Sequence, residues 1–247
     1  MDLINFSYHH YNLVSSTNEI AKEIASNHIH KEGLVVFANE QSAGKGVGQT
    51  KWVADHGANI LTTFLLCPNI PIKDQFVLNL VAAVAVLQLV ESFNIKDVSI
   101  KWPNDILVQN KKIAGILIEN KTSGDRIKES YMGIGLNVNQ LIFKGDFNKL
   151  PTSLKMETNS EYVLFEVLEK LGEFIAINYD LLKSNPIELY QKFIDKMYLM
   201  DQLSRFKVGD EILKLTIRGI SKDGKLVVED EQKNKMYYQF KEIQFIN

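Results

Sequence analysis

The sequence predicts an α/β protein of the α+β kind: a largely antiparallel sheet carrying packed helices, followed by a small SH3-like β-barrel. Three observations predict it. Apolar segments between Val98 and Val138 follow one another through turns too short for helical crossovers, which favours antiparallel pairing. Two helical patterns, one opening at Ser16 and one at Asp74, interrupt the strands. Near Asp201 the character changes, and from Arg205 to Asn247 only short strand patterns remain, with Asp223-Gly224 as a hairpin signal. The expected division is a large domain over residues 1–200 and a small one over 201–247.

Each element has a local reason. Ser16-Thr17-Asn18-Glu19 has capping-box spacing, and Ile20, Ala21, Ile24 and Ala25 continue it as an apolar stripe. Gly33 to Ala38 reads as a buried strand. Asn39 to Lys51 carries Gly44, Gly46 and Gly48 and reads as a loop. Asn59 to Leu66 is the next strand. The helix from Asp74 to Phe93 contains the longest apolar run, Val77 to Val90, shorter than the ~20 residues of a membrane span. Strands Val98 to Trp102 and Ile106 to Val108 flank Pro103-Asn104-Asp105. Lys112 to Glu119 and Ile127 to Val138 follow. Helices are expected from Ser160 to Leu182 and after Asn185, with Pro186 at the first helical position. Strands Glu211 to Ile220, Lys225 to Glu229, Met236 to Phe240 and Glu242 to Ile246 close the chain.

The bulk properties narrow the function classes. With 45% apolar and 23% charged residues the 247-residue chain is an ordinary folded protein. A formal charge of −2 gives no electrostatic reason to expect nucleic acid or an anionic membrane as partner. The single cysteine, Cys67, cannot form an internal disulfide and sits in an apolar run. No secretory signal is visible, so a cytoplasmic location is expected. His9, His10, His28, His30 and His56 form no metal-ligand pattern, and no Ser-His-Asp or Cys-His nucleophile set is evident.

Four segments carry chemistry. Ser16-Thr17-Asn18 at a helix start offers amides and hydroxyls to a neutral polar head group such as a urea ring, although an ordinary N-cap has the same signature. Gln41 to Trp52 is a glycine-rich loop with Lys45 and Lys51, able to approach phosphate closely. It is not a Walker A loop, because a strand follows it. Lys101-Trp102-Pro103-Asn104-Asp105 puts a lysine at a strand end, where it can meet a phosphate oxygen, and puts oxygen donors suited to Mg²⁺ beside it. Lys112-Ile113-Ala114-Gly115-Ile116-Leu117-Ile118-Glu119 and Gly133-Ile134-Gly135-Leu136-Asn137-Val138-Asn139 place glycines inside apolar strands, a mark of close approach by a ligand or another backbone.

Taken in this order, over about residues 8 to 139, these segments resemble the biotin–protein ligase family; Gly219 to Leu226 is similar to that family's small terminal domain. The resemblance implies a class II synthetase-like catalytic domain with a mixed, largely antiparallel sheet. It implies a two-step reaction: biotin and ATP give biotinyl-5′-AMP, and biotin then passes to a lysine of a biotin carboxyl carrier protein. By the same resemblance Ser16, Thr17, Asn18 and Gln41 hold the biotin ring, and Gly44, Lys45, Gly46 and Val47 lie on a loop over biotin and adenylate. Lys101 and Lys45 supply catalytic charge, Lys101 standing at the biotin carboxylate and the α-phosphate. Gly115 lines the biotin site. Trp52, Asn104, Asp105 and Asn137 line the adenylate site, and Asp105 is the candidate Mg²⁺ ligand. The family's loop usually carries arginines where this chain has Lys45 and Val47. Family members occur as monomers and homodimers, and some carry an N-terminal DNA-binding domain. Here the motifs begin at once, so the monofunctional type is expected. A lipoate or octanoate ligase and a non-catalytic biotin-binding protein are the alternatives.

Overall fold

A computed structural model describes residues 3–27, 32–46, 52–145, 147 and 149–246. In chain order the elements are β1 (Ser7–Val14), α1 (Thr17–Ser26), β2 (Leu34–Gln41), β3 (Asn59–Leu66), β4 (Ile70–Pro71), a 3-10 turn (Ile72–Asp74), α2 (Val77–Glu91), β5 (Val98–Lys101), β6 (Asp105–Val108), β7 (Lys111–Ser123), β8 (Arg126–Asn137), α3 (Leu154–Thr158), α4 (Leu164–Ser184), α5 (Pro186–Ile194), β9 (Leu203–Val208), β10 (Glu211–Ile220), β11 (Leu226–Glu229), β12 (Lys235–Tyr238) and β13 (Ile243–Ile246).

The first sheet has eight strands, in the order β1-β2-β3-β8-β7-β6-β5 with β4 added beside β8. The run from β2 through β8, β7 and β6 to β5 is antiparallel, as the short turns predict. β1 is the exception. It pairs with β2 in parallel and makes the sheet mixed.

α2 is apolar all round and is buried accordingly. Although Ile72–Glu91 is long and apolar enough to cross a membrane by composition, about two-thirds of its most apolar stretch is buried inside the protein. It packs on one face of the sheet, with α4 and α5 against it. α5 starts as the sequence suggests, with Pro186 in its first turn and Asn185 Oδ1 accepting from Glu188 N at 3.3 Å. The capping box at Ser16 is not realised: Ser16 is extended and its side chain makes no cap bond. The first helical amide, Thr17 N, donates instead to Gln41 Oε1 at 2.8 Å, and Glu19 pairs with Lys22 and Lys45.

The C-terminal sheet has five strands in the order β12-β11-β10-β9-β13, and among the described residues it is open between β12 and β13. Phe206, Leu215, Ile217, Leu226 and Val228 belong to the same apolar cluster as α2 and α5. Two hydrogen bonds fasten the sheet: Tyr190 OH donates to Ile220 O at 3.0 Å, and the buried Trp102 Nε1 donates to Gly224 O at 2.9 Å. Gly224 has φ +84°, and a Cβ there would stand 2.7 Å from Phe76 Cβ.

Trp102→Phe keeps most of the ring and leaves the Gly224 carbonyl without its donor. A loss of about 1 kcal/mol is expected. In urea unfolding the midpoint should fall while the slope stays that of the unsubstituted protein.

Candidate functional site

The sheet face opposite α2 is only partly covered. α1 lies over β2, β3 and β8, with Ala21 and Ala25 packed against Leu34, Val36, Leu65 and Tyr131. Beyond the start of α1 the face forms the floor of a cavity of about 1060 Å³. Strand register sets that floor. Asp105 of β6 stands opposite Gly115 of β7, Gly115 opposite Gly135 of β8, and Gly135 opposite Leu61 of β3. In the neighbouring row Leu117, Gly133 and Thr63 align. The glycines make room for Trp52. A Cβ on Gly135 would stand 2.7 Å from Trp52 Cζ2, and one on Gly115 3.0 Å from Cζ3. The Trp52 indole N–H is buried with no hydrogen-bond partner, so it can donate to a ligand atom.

A register slip sets the charge over this floor. Ile106 pairs with Ala114, but Leu107 pairs with Lys112, so β7 holds one extra residue at this point. Strict alternation from Gly115 would turn Lys112 to the α2 face. The bulge brings it to the cavity face instead. Its Nζ lies 2.6 Å from Asp105 Oδ1 and 5.4 Å from the centre of the Trp52 ring.

One end of the cavity is lined by uncharged polar side chains, with the Lys45–Glu19 pair at its margin. Ser16, Thr17 and Asn18 are buried at 6%, 3% and 3% exposure. Gln41 Oε1 accepts from Thr17 N at 2.8 Å and Thr17 Oγ1 at 3.2 Å, which fixes the amide and leaves its Nε2 as a donor. Thr63 Oγ1 lies 2.8 Å from Thr17 Oγ1 and 2.5 Å from Asn18 Oδ1.

The other end is cationic. Lys101 Nζ lies 3.8 Å from Asp105 Oδ2 and 5.2 Å from the centre of the Phe245 ring. Burial pushes Lys101 below the ordinary lysine range. The ammonium groups of Lys112 and Lys149 add to this, and Asp105 offsets part of it. Phe245, Phe240, Lys241 and Gln244 of the C-terminal sheet and its last turn line this end.

Ser16, Thr17, Asn18, Gln41, Lys45, Gly46, Trp52, Lys101, Asn104, Asp105, Gly115 and Asn137 all line this one cavity. Some are engaged elsewhere. Lys45 Nζ sits 3.4 Å from Glu19 Oε1, away from the Asp105 cluster. Asn104 Nδ2 donates to Ile116 O, and Asn137 Nδ2 donates to Thr152 O, each at 2.9 Å. Gly44 supports the cavity from behind: its carbonyl accepts from Trp52 N at 3.1 Å, and a Cβ there would stand 2.8 Å from Trp52 O. Val47 lies outside the described residues. The sequence alone did not single out Lys112, although it stands in the fourth motif; it marked the strand from Glu242 to Ile246 but gave no signal that this strand lines the cavity.

The family model for biotin/lipoate A/B protein ligases matches residues 11–137. The chain is 39% identical over 164 residues to the bifunctional ligase/repressor BirA of Bacillus subtilis, covering 66% of this chain and 49% of that one. It is 36% identical over 108 residues to the biotin–[acetyl-CoA-carboxylase] ligase of Paracoccus denitrificans, covering 42% and 43%. The chain spans about half the length of the curated relatives it matches. Among solved structures, the biotin protein ligase of Aquifex aeolicus in complex with biotin and ATP superposes with a TM-score of 0.79. It is 26% identical, with 96% of this chain and 97% of that chain covered.

Gly135→Ala should displace the Trp52 ring. In a Trp102→Phe background, Trp52 is the one remaining tryptophan, and its emission should shift to the red as the half-buried indole leaves its seat on the glycine floor. Unchanged emission would show that the ring does not depend on the glycine.

Proposed function

Because the chain belongs to the biotin/lipoate A/B protein ligase family, we propose that it is a biotin–protein ligase: it forms biotinyl-5′-AMP from biotin and ATP and transfers biotin to a lysine of a biotin carboxyl carrier domain. The carrying observation is the cavity's two unlike ends joined by a glycine floor under Trp52. Biotin has a neutral urea ring at one end and a carboxylate at the other. The buried Ser16, Thr17 and Asn18 and the half-buried Gln41 suit the ring. Lys112 and Lys101 suit the carboxylate and the α-phosphate that must meet it. A lipoyl or octanoyl chain would leave the polar end unpaired, which costs about 1–3 kcal/mol per buried group.

In the first step a biotin carboxylate oxygen attacks the α-phosphorus of ATP. An O–P bond forms, the bond to pyrophosphate breaks, and a mixed anhydride results. Lys112 stands over Gly115 beside the Trp52 ring, and its charge offsets that of both reacting anions. Lys101 stands farther along, under Phe245, and meets the nucleotide phosphate. Asp105 engages both lysines and orients them. In the second step the carrier lysine attacks the acyl carbon, AMP leaves, and the amine loses its proton. Neither step needs a nucleophile from this chain. Lys45, Gly46 and Val47 are assigned to the loop over the intermediate, and Trp52, Asn104 and Asn137 to the adenylate side.

Asp105 is a poor fit for a resident Mg²⁺. It is the cavity's one lining carboxylate among the described residues, and both its oxygens face ammonium groups. Among the described residues no three His, Cys, Asp or Glu side chains converge. Mg²⁺ arriving with the triphosphate belongs to the co-substrate. The proposal takes residues 1–200 as a class II synthetase-like catalytic domain, residues 201–247 as an SH3-like second domain, and the cytoplasm as the location.

The test is ATP-dependent transfer of labelled biotin to a purified carrier domain, with lipoate as competitor and pyrophosphate release as the first-step readout. Transfer of lipoate but not biotin overturns the reading, and binding without pyrophosphate release leaves a non-catalytic biotin-binding protein. Lys112→Ala and Lys101→Ala should each slow pyrophosphate release by about 100-fold or more, roughly 2.7 kcal/mol of barrier. Because Lys101 titrates below the ordinary lysine range, the charge it contributes is present at low pH and lost early on the alkaline side. As pH rises, the rate should therefore begin to fall earlier than the titration of an ordinary lysine would make it. In Lys101→Arg the alkaline limb should move up, because arginine keeps its proton; an unmoved limb assigns the titration to another group.

A further inference from the structure

Amide orientation at the neutral end is set from outside the cavity. Asn18 and Lys22 stand one turn apart on α1, on the same helix face. Both reach Glu119 of β7. Asn18 Nδ2 donates to Glu119 Oε2 at 2.6 Å, and Lys22 Nζ lies 3.2 Å from Glu119 Oε1. Lys22 also lies 5.9 Å from the centre of the Tyr131 ring, and Tyr131 is the cross-strand neighbour of Glu119. Burial lowers the Lys22 pKa, but its bonds to Glu119 and Glu19 outweigh this and hold it above the ordinary lysine range. Glu119 itself does not line the cavity.

A carboxylate accepts and does not donate, so only the NH₂ side of Asn18 can face Glu119. A 180° flip would set Oδ1 against a carboxylate oxygen and take it away from the Thr63 hydroxyl, which lies 2.5 Å from it. Oδ1 is therefore held over the floor, 2.7 Å from where a Cβ of Gly133 would be. Gln41 is fixed with the opposite polarity, its oxygen spent on Thr17 and its Nε2 free to donate. The end thus presents an acceptor and a donor in fixed places, the complement of a urea N–H and its carbonyl.

We propose that Glu119, held by Lys22, is a positioning residue that locks the Asn18 amide with its oxygen toward the bound urea, and so determines selection of a ring with an N–H donor at that place. The ligand named here rests on the biotin reading; the locked amide does not.

The test has two arms on the full chain. In the ligand-free protein, ¹⁵N-resolved spectra of the Asn18 side-chain NH₂ should show one proton shifted downfield by the carboxylate. That shift should be lost in Glu119→Ala and largely kept in Glu119→Gln, whose amide oxygen still accepts. With ligand, Glu119→Ala should raise the KM for biotin by about tenfold, with kcat and the KM for ATP within about twofold; a tenfold change is 1.4 kcal/mol. Glu119→Gln should recover most of the biotin KM. An Asn18 NH₂ signal unmoved by Glu119→Ala overturns the proposal. So does a biotin KM that stays put, or one that changes together with kcat and the ATP KM. If Glu119→Ala does not fold, Lys22→Met carries both arms, with Glu119→Gln as the control expected to keep both readouts: losing the Lys22 contact should lessen the Asn18 NH₂ shift and raise the biotin KM, and both unmoved in Lys22→Met overturn the proposal. Failure of the unsubstituted protein to bind biotin in titration overturns the biotin reading, and the NH₂ signal still decides the role of Glu119.

Discussion

One extra residue in β7, taken up between the pairs Ile106–Ala114 and Leu107–Lys112, sets the polarity of the cavity. Ala114 and Ile116 go to the α2 side and are buried in the main core, while Gly115 faces the cavity. Without the slip Lys112 would follow Ala114 into that core, where an unpaired ammonium is costly. With it, the same lysine reaches Asp105 and stands over the glycine floor. A small backbone irregularity thus converts a core-facing position into a charged one, and the glycines opposite make room for the Trp52 ring beside that charge. Trp52 fits only because Gly115 and Gly135 lack side chains.

The two ends of the cavity are stabilised in different ways. At the neutral end the buried amides and hydroxyls bond to one another and to Glu119, and little has to rearrange when a ligand binds. At the cationic end Lys101, Lys112 and Lys149 repel one another across one carboxylate, and burial already biases Lys101 toward its neutral form. That arrangement is unfavourable without an anion, and a carboxylate or phosphate between the lysines relieves it. The cost is placed where the ligand brings compensating charge.

Much of this was legible in the sequence. The strands from Asn59 to Asn137, the buried helix and the break near Asp201 follow from periodicity and turn chemistry, and most of the motif residues do meet in one cavity. β1 was not legible, because Tyr8, His9, His10, Tyr11 and Asn12 show no apolar alternation; it is a strand only through its parallel pairing with β2. The capping box at Ser16 was a plausible pattern that lost to a long-range partner. Gln41 takes the helix's first amide, while Glu19 turns to Lys22 and Lys45. Lys112 could not be ranked above Lys101 from sequence, since reading its face correctly requires knowing where the ladder slips.

β13 was legible as a short strand from Glu242 to Ile246, but its place at the cavity was not: short strands at a chain end carry no motif, and only the tertiary fold says what they cover. Its placement has a physical consequence. Phe245 shields Lys101, and Trp102, the next residue, is bonded to Gly224 of the same sheet. The lysine's low-polarity surroundings therefore depend on residues more than a hundred positions away, held by a hydrogen bond and by the Phe76 contact at Gly224. Loosening that contact would rehydrate the lysine before it disturbed the cavity floor, whose glycines and Trp52 all belong to the first sheet or the loop leading into it. Charge strength and ligand space are thus controlled by different parts of the chain, the first by the C-terminal sheet and the second by the register of β7 and β8.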